Sequence, residues 1–173
     1  VLIAALAIAA LSTIGPGWVA LAKQQQISMA RNDVLSLQRA IMRFYREYGA
    51  WPADPGERNV DLHFGGRRPN AEILRVLRAE AGPGNLDHNQ NPQRMIFIEV
   101  ASYADGYSGL DANGEFLDPW GKPYHIALDT SYDNAVEVAN SLIERIPGVG
   151  VLVWSCGPDR ISETRDDIVS WKR

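Results

Sequence analysis

The chain has 173 residues and a mass of 19.1 kDa, 46% apolar and 22% charged, which is enough for one domain with a real core and too apolar for whole-chain disorder. Its 17 Lys and Arg against 21 Asp and Glu leave a net charge of −4, which excludes the broad basic surface that neutralises nucleic-acid phosphates. The single cysteine, Cys156, excludes an intrachain disulfide framework, and no Cys/His spacing for zinc is present.

Residues 1–22, VLIAALAIAALSTIGPGWVALA, carry no charge. As a helix, 22 residues rise about 33 Å, the thickness of a bilayer's hydrocarbon core, and Lys23 arrives where the interface would begin. A transmembrane segment is therefore expected over 1–22, with a buried core helix as the alternative. A cleaved secretory signal would have a shorter apolar region behind a basic start. The amphipathic continuation over 23–48 places Ile27, Ala30, Val34, Leu37, Ile41, Phe44 and Tyr48 at alternating spacings of 3 and 4, one stripe of a helix suited to core packing. Gly49 fits the residue just past a helix end, and Trp51-Pro52 turns the chain out of helix. Residues 1–48 thus read as one long helix with a weak point at Pro16-Gly17.

Residues 49–173 are rich in Gly, Pro, Asn and Asp between short periodic pieces and predict a small α+β head. Residues 52–69 read as loop, and Asn70 is placed to cap a short helix running to about Ala81. Strands are predicted at 95–100 (MIFIEV), 123–128 and 149–155 (VGVLVWS). Residues 134–146 fit a strand followed by a loop.

Three places could carry chemistry. The C-terminal segment 155–168, SCGPDRISETRDDI, gathers Asp159, Glu163, Asp166 and Asp167 behind Gly157-Pro158. Carboxylates brought together repel unless a cation lies among them, and a hard cation with 6–8 oxygen ligands suits them, calcium above all. Solvated acids making turns and caps are the plainer alternative, and the spacing is not that of an EF-hand. In residues 110–118, LDANGEFLD, Asp111, Asn113 and Glu115 resemble the start of a calcium loop, but Gly114 comes too early and a turn presenting the next strand fits better. Ser155 or Cys156 could be a nucleophile, yet Val153 stands where a nucleophile elbow needs Gly, and His63, His88 and His125 are scattered. The Gly65-Gly66 and Arg67-Arg68 pairs are too short for a phosphate cradle or a basic patch.

The order of these pieces carries a resemblance. An apolar segment broken by Pro16, an amphipathic helix ending in YGAWP (48–52), the run LDPWGKPY (117–124), then SCGPD (155–159) and DDIVSW (166–171) together resemble the major pseudopilin of bacterial type II secretion systems, within the type IV pilin superfamily. That resemblance implies a pilin-like α+β fold, a long N-terminal helix packed on a small antiparallel sheet. It implies a non-enzymatic subunit that polymerises into a periplasmic pseudopilus driving protein secretion. The anchor would lie in the bacterial inner membrane, single-pass, with the head in the periplasm. Partners would be further copies of the chain, minor pseudopilins and an inner-membrane secretion platform, with nucleic acid no partner.

The resemblance also maps a calcium site onto Asp159, Asp166, Asp167 and the carbonyl of Cys156, with a further oxygen from Ser162. Arg160 stands where the family commonly has Gly and, with Arg165, adds positive charge to the loop. The family's methylated N-terminal Phe and nearby Glu would fall upstream of Val1. The segment 53–116 is longer than the compact pseudopilin needs and reads as an insertion. Two alternatives differ in what they require. A type IV pilus or competence pilin would use its head for adhesion or DNA, with Lys and Arg on the exterior. A membrane-anchored periplasmic hydrolase would need Ser155 or Cys156 within reach of a histidine, and separation of every histidine from both by more than about 8 Å would end that idea.

Overall fold

A computed structural model describes residues 16–54, 60–138 and 145–171. Helix α1 spans Pro16–Tyr48, 33 residues and about 50 Å. The predicted stripe is the buried face: Ala30, Val34, Leu37, Ile41 and Phe44 are buried, with Ile27 and Tyr48 packed at its ends. Gly49 stops the helix in the left-handed region (φ +67°), its N–H bonded to Tyr45 O at 2.8 Å. The Trp51 indole then donates to Asp129 O at 2.7 Å and pins the helix exit to the sheet. Most of the expected transmembrane segment, residues 1–15, falls outside the described residues, as does its junction with Pro16. Among the described residues no helix is long and apolar enough to cross a membrane.

The head is α+β. Strands β1 (Leu62–Phe64), β4 (His125–Leu128), β7 (Val151–Ser155) and β8 (Ile168–Val169) form one antiparallel sheet in the order β1-β4-β7-β8. Between β1 and β4 lie helix α2 (Ala71–Leu77) and the two-stranded pair β2 (Gly109–Leu110) and β3 (Phe116–Leu117). A second pair joins β5 (Ala135–Glu137) to β6 (Arg145–Pro147). The register sets Ile126 opposite Val153 and Leu128 opposite Val151, and these four pack with the α1 stripe. Their alternates Ala127, Leu152 and Trp154 pack on the other face with Val136 and Val138. A sheet covered on both sides explains why β7 is a continuous apolar run rather than an alternating one.

The expected strands at 123–128 and 149–155 are present as β4 and β7, and residues 135–137 form a strand as expected. Four details differ. Within 52–69, read as loop, Leu62–Phe64 is the edge strand β1, too short for a periodic signal. Residues 95–100 form no strand. Their backbone is held instead by Asn91, which donates to Met95 O and accepts from Met95 N, and by Leu77 O, which accepts from Phe97 N at 2.8 Å. Asn70 does not cap: α2 ends at Leu77, before Ala79 turns left-handed (φ +57°), and the Asn70 amide points into the core. There it donates to Phe116 O and Tyr124 O and accepts from Phe116 N at 2.8 Å. Arg145 and Ile146, placed in a loop after the strand, begin β6, while residues 139–144 of that loop lie outside the described residues. The 53–116 segment shares the main core, supplying Phe64, Ile73, Leu74, Val76, Leu77, Phe97 and Phe116.

Candidate metal loop and its anchor

Strands β7 and β8 are neighbours paired at Ser155 and Ile168, so residues 156–167 form the loop that joins them. The loop's root is a buried hydrogen-bond knot. Ser155 Oγ donates to Asp118 Oδ2 at 2.6 Å and accepts from Gly157 N at 3.0 Å. Asp118, fully buried, also accepts from the N–H groups of Trp120 at 3.0 Å and Lys122 at 2.9 Å. Burial pushes its carboxyl above the usual range, and these donors, chiefly Ser155, pull it back. Within the same turn Gly121 adopts φ +79°, and the Tyr124 hydroxyl donates to Asp33 on α1 at 2.9 Å. The DPWGKPY and SCGPD runs are therefore two halves of one knot that joins α1, the turn before β4 and the end of β7.

Beyond the knot the loop folds on itself. Gly157 sits at φ +67° with its Cβ position only 2.3 Å from Asp166 O, so no larger residue fits this turn without a shift. Asp159 N donates to Asp166 Oδ2 at 3.1 Å, and Asp159 Oδ1 accepts from Ile161 N at 2.8 Å. The Thr164 hydroxyl lies 2.6 Å from Asp166 Oδ1 and 3.3 Å from Asp167 Oδ1. Glu163 N donates to Asp167 Oδ2 at 2.8 Å. Asp166 is held below the ordinary carboxylate range, first by the Thr164 hydrogen bond, whereas burial raises Asp167. Arg160 takes the left-handed conformation (φ +62°) that the resemblance assigns to Gly, and its positive charge lies near enough to Asp118 to favour that carboxylate.

Three hard carboxylates, Asp159, Asp166 and Asp167, are thus linked through Asp166, and donors of this type fit a hard cation. Their oxygens are aimed at backbone N–H groups and Thr164. Among the described residues no three His, Cys, Asp or Glu side chains stand close enough to share one ion. The Ser162 hydroxyl is engaged with Cys156, its Oγ 3.1 Å from Sγ.

The sulfur of Cys156 has a second neighbour, His125 Nε2 at 3.4 Å. The pairing of His125 with Trp154 in the β4–β7 ladder brings them together, and the His125 ring stacks on Trp154 with centroids 5.0 Å apart. The distance that would have ended a hydrolase reading is therefore not met. Burial raises the Cys156 thiol, and burial together with the neighbouring His63 and Lys122 pushes the His125 imidazole down to about 4. Ser155 faces Asp118 rather than a histidine.

The remaining sequence candidates are structural. Asp111 Oδ1 accepts from Asn113 N at 2.9 Å and Glu115 N at 2.8 Å, closing the turn that presents β3. Gly65 (φ +87°) lets its backbone meet Tyr124 O, and Arg68 pairs with Glu72 while covering the Phe64 ring. Sequence reasoning missed Asp118, whose signal was its place in the DPWG run, and the His125–Cys156 contact, which only strand register could place. Compared with known proteins, the chain matches no family model, no curated protein and no solved structure.

Proposed function

We propose that the chain is a structural, pilin-like subunit that polymerises into a periplasmic pseudopilus serving type II protein secretion. The observation that carries this reading is the knot around Asp118 and Ser155, because it gives a physical role to the residues on which the family resemblance rests. A second support is α1, whose C-terminal part is buried against the head while Trp18 (68% exposed), Val19 and Leu21 find no cover among the described residues. Such an apolar segment is stored in lipid until copies pack their helices together, and head-to-tail contacts that do not close produce a filament. The inner membrane holds the anchor, and the partners are further copies, minor pseudopilins and the secretion platform.

Calcium is the metal proposed for the C-terminal loop, where Asp159, Asp166, Asp167 and the Cys156 carbonyl would have to draw together around it, with Ser162 contributing if its hydroxyl turns. When bound it supplies charge neutralisation to the carboxylates. The chain's own residues do the rest: Ser155, Gly157 and Thr164 keep the loop folded against β8. The role is structural and no catalysis is assigned.

Two experiments test this. Removing the gene from the producing bacterium traps folded exoproteins in the periplasm, and restoring it releases them; unchanged secretion refutes the function. Thermal unfolding of the full chain in detergent with EGTA, calcium or magnesium tests the metal. Calcium at about 100 times Kd adds about 2.7 kcal/mol, a gain absent in Asp159→Ala and Asp166→Ala. Equal Tm in calcium and EGTA removes the metal and leaves the secretion reading to the first experiment.

A further inference from the structure

The outward face of α1 carries a cationic ridge. Arg39, Arg43 and Arg46, spaced four and three residues apart, are all exposed and stand on the side of the helix opposite the buried stripe. With Gln38 and Met42 they line a shallow groove. None of the three makes a salt bridge among the described residues, where the ion pairs are Arg68–Glu72, Arg78–Glu80 and Arg145–Asp133. Arg43 stacks over the Phe97 ring, 5.8 Å from its centroid, which fixes the direction of the ridge. Like charges at these spacings repel and weaken an isolated helix.

The charge is matched elsewhere on the same chain. Helix α1 has Lys23, Arg31, Arg39, Arg43 and Arg46 against Asp33 and Glu47, so a chain of net charge −4 divides into a helix of +3 and a remainder of −7. Exposed carboxylates of the head, Glu99, Asp105 and Glu163 among them, make no salt bridge among the described residues. A lipid surface is a poor occupant. Arg39 lies about 25 Å and Arg46 about 36 Å along the helix from Ala22, whereas the headgroup layer is only about 5–8 Å deep.

We propose that the Arg39–Arg43–Arg46 ridge docks the acidic head of a second copy of this chain. The ridge belongs to α1 and the acids to the head, so a ridge-to-head contact between copies pairs unlike patches, is head-to-tail and repeats without closing. This inference rests on the assembly reading above and names the surface that carries it.

The test uses the full chain in membranes of the producing cell. The charge-conserving Arg39→Lys/Arg43→Lys/Arg46→Lys variant is treated with a zero-length carbodiimide, which joins amines to carboxylates in contact. The expected product is a covalent dimer whose cross-linked peptides join a ridge position to a head carboxylate. Dimer without ridge peptides, or no dimer, overturns the inference. A second variant, Arg39→Glu/Arg46→Glu, which spares the Arg43–Phe97 contact, is expected to keep the wild-type Tm and to lose formaldehyde-trapped oligomers about tenfold. Reversing the mapped acid to Arg restores them. Raising salt from 0.1 M to 1 M, which shortens the screening length from about 10 Å to about 3 Å, reduces wild-type oligomers in the same way. If the glutamate variant forms oligomers as well as wild type, the ridge is refuted while the assembly reading stands. If it loses only binding to phosphatidylglycerol vesicles, the ridge serves lipid and the inference is refuted. If wild type itself yields no oligomers, both fail.

Discussion

Replacing Asp118 by Ala removes the acceptor for three donors at once: the Ser155 hydroxyl at 2.6 Å and the N–H groups of Trp120 and Lys122. Hydrogen bonds to a charged group contribute about 1.5–3 kcal/mol each, and part of that sum is offset because the buried carboxylate is itself costly. The net loss is about 3–5 kcal/mol. For a chain of this size that is a fall in Tm of about 6–20 °C. Asp118→Asn keeps one oxygen for the two backbone donors and relieves the buried charge, so its loss is expected to be less than half as large. Circular-dichroism melts of the full chain in detergent measure both. Because the knot is the root of the 156–167 loop, Asp118→Ala is also expected to speed proteolysis within that loop. The reasoning is refuted if Asp118→Ala melts within about 2 °C of wild type, or if the Asn variant is the less stable of the two.

Leu37→Ala, at a fully buried point of the stripe, is expected to cost about 2–5 kcal/mol, against less than about 0.5 kcal/mol for the exposed Ser36→Ala, read by the same melts. Gly157→Ala puts a methyl 2.3 Å from Asp166 O at a left-handed position, and a loss of at least about 2 kcal/mol is expected, with faster cleavage of the loop by protease. Asp33→Asn tests linkage. Burial raises the Asp33 carboxyl above its ordinary 3.8, outweighing the hydrogen bonds from Ser108 and Tyr124, so the folded chain holds that proton more tightly than the unfolded one. Stability from this group is full below 3.8 and is lost as pH rises through the raised value. Asp33→Asn should therefore raise Tm at pH 7 and lose its advantage in melts run below the ordinary carboxylate value; an equal Tm difference at both pH values contradicts this.

What the sequence disclosed follows from how local each signal was. The α1 stripe repeats the 3.6-residue period over more than five turns, from Ile27 to Tyr48, so its buried face was legible residue by residue. Strand β7 announced itself because both faces of its sheet are covered. Residues 95–100 have strand composition, but partners outside any strand ladder hold them: Asn91 bonds the Met95 backbone and Leu77 O accepts from Phe97 N. Asn70 looked like a cap because caps and core knots use the same side chain, and only tertiary contacts with residues 116 and 124 separate them. In the loop, the acids behind Gly157-Pro158 were visible as a cluster. Their anchor was not, since Asp118 and Ser155 lie 37 positions apart and meet only through the sheet.

The central claim, that copies of this chain assemble without closing, is tested most directly by negative-stain electron microscopy of sheared envelopes from cells overproducing the full chain. The account predicts helical filaments that an antibody against the head decorates along their length, and that are missing when the gene is removed. Decorated particles that are only monomers or closed dimers would contradict it.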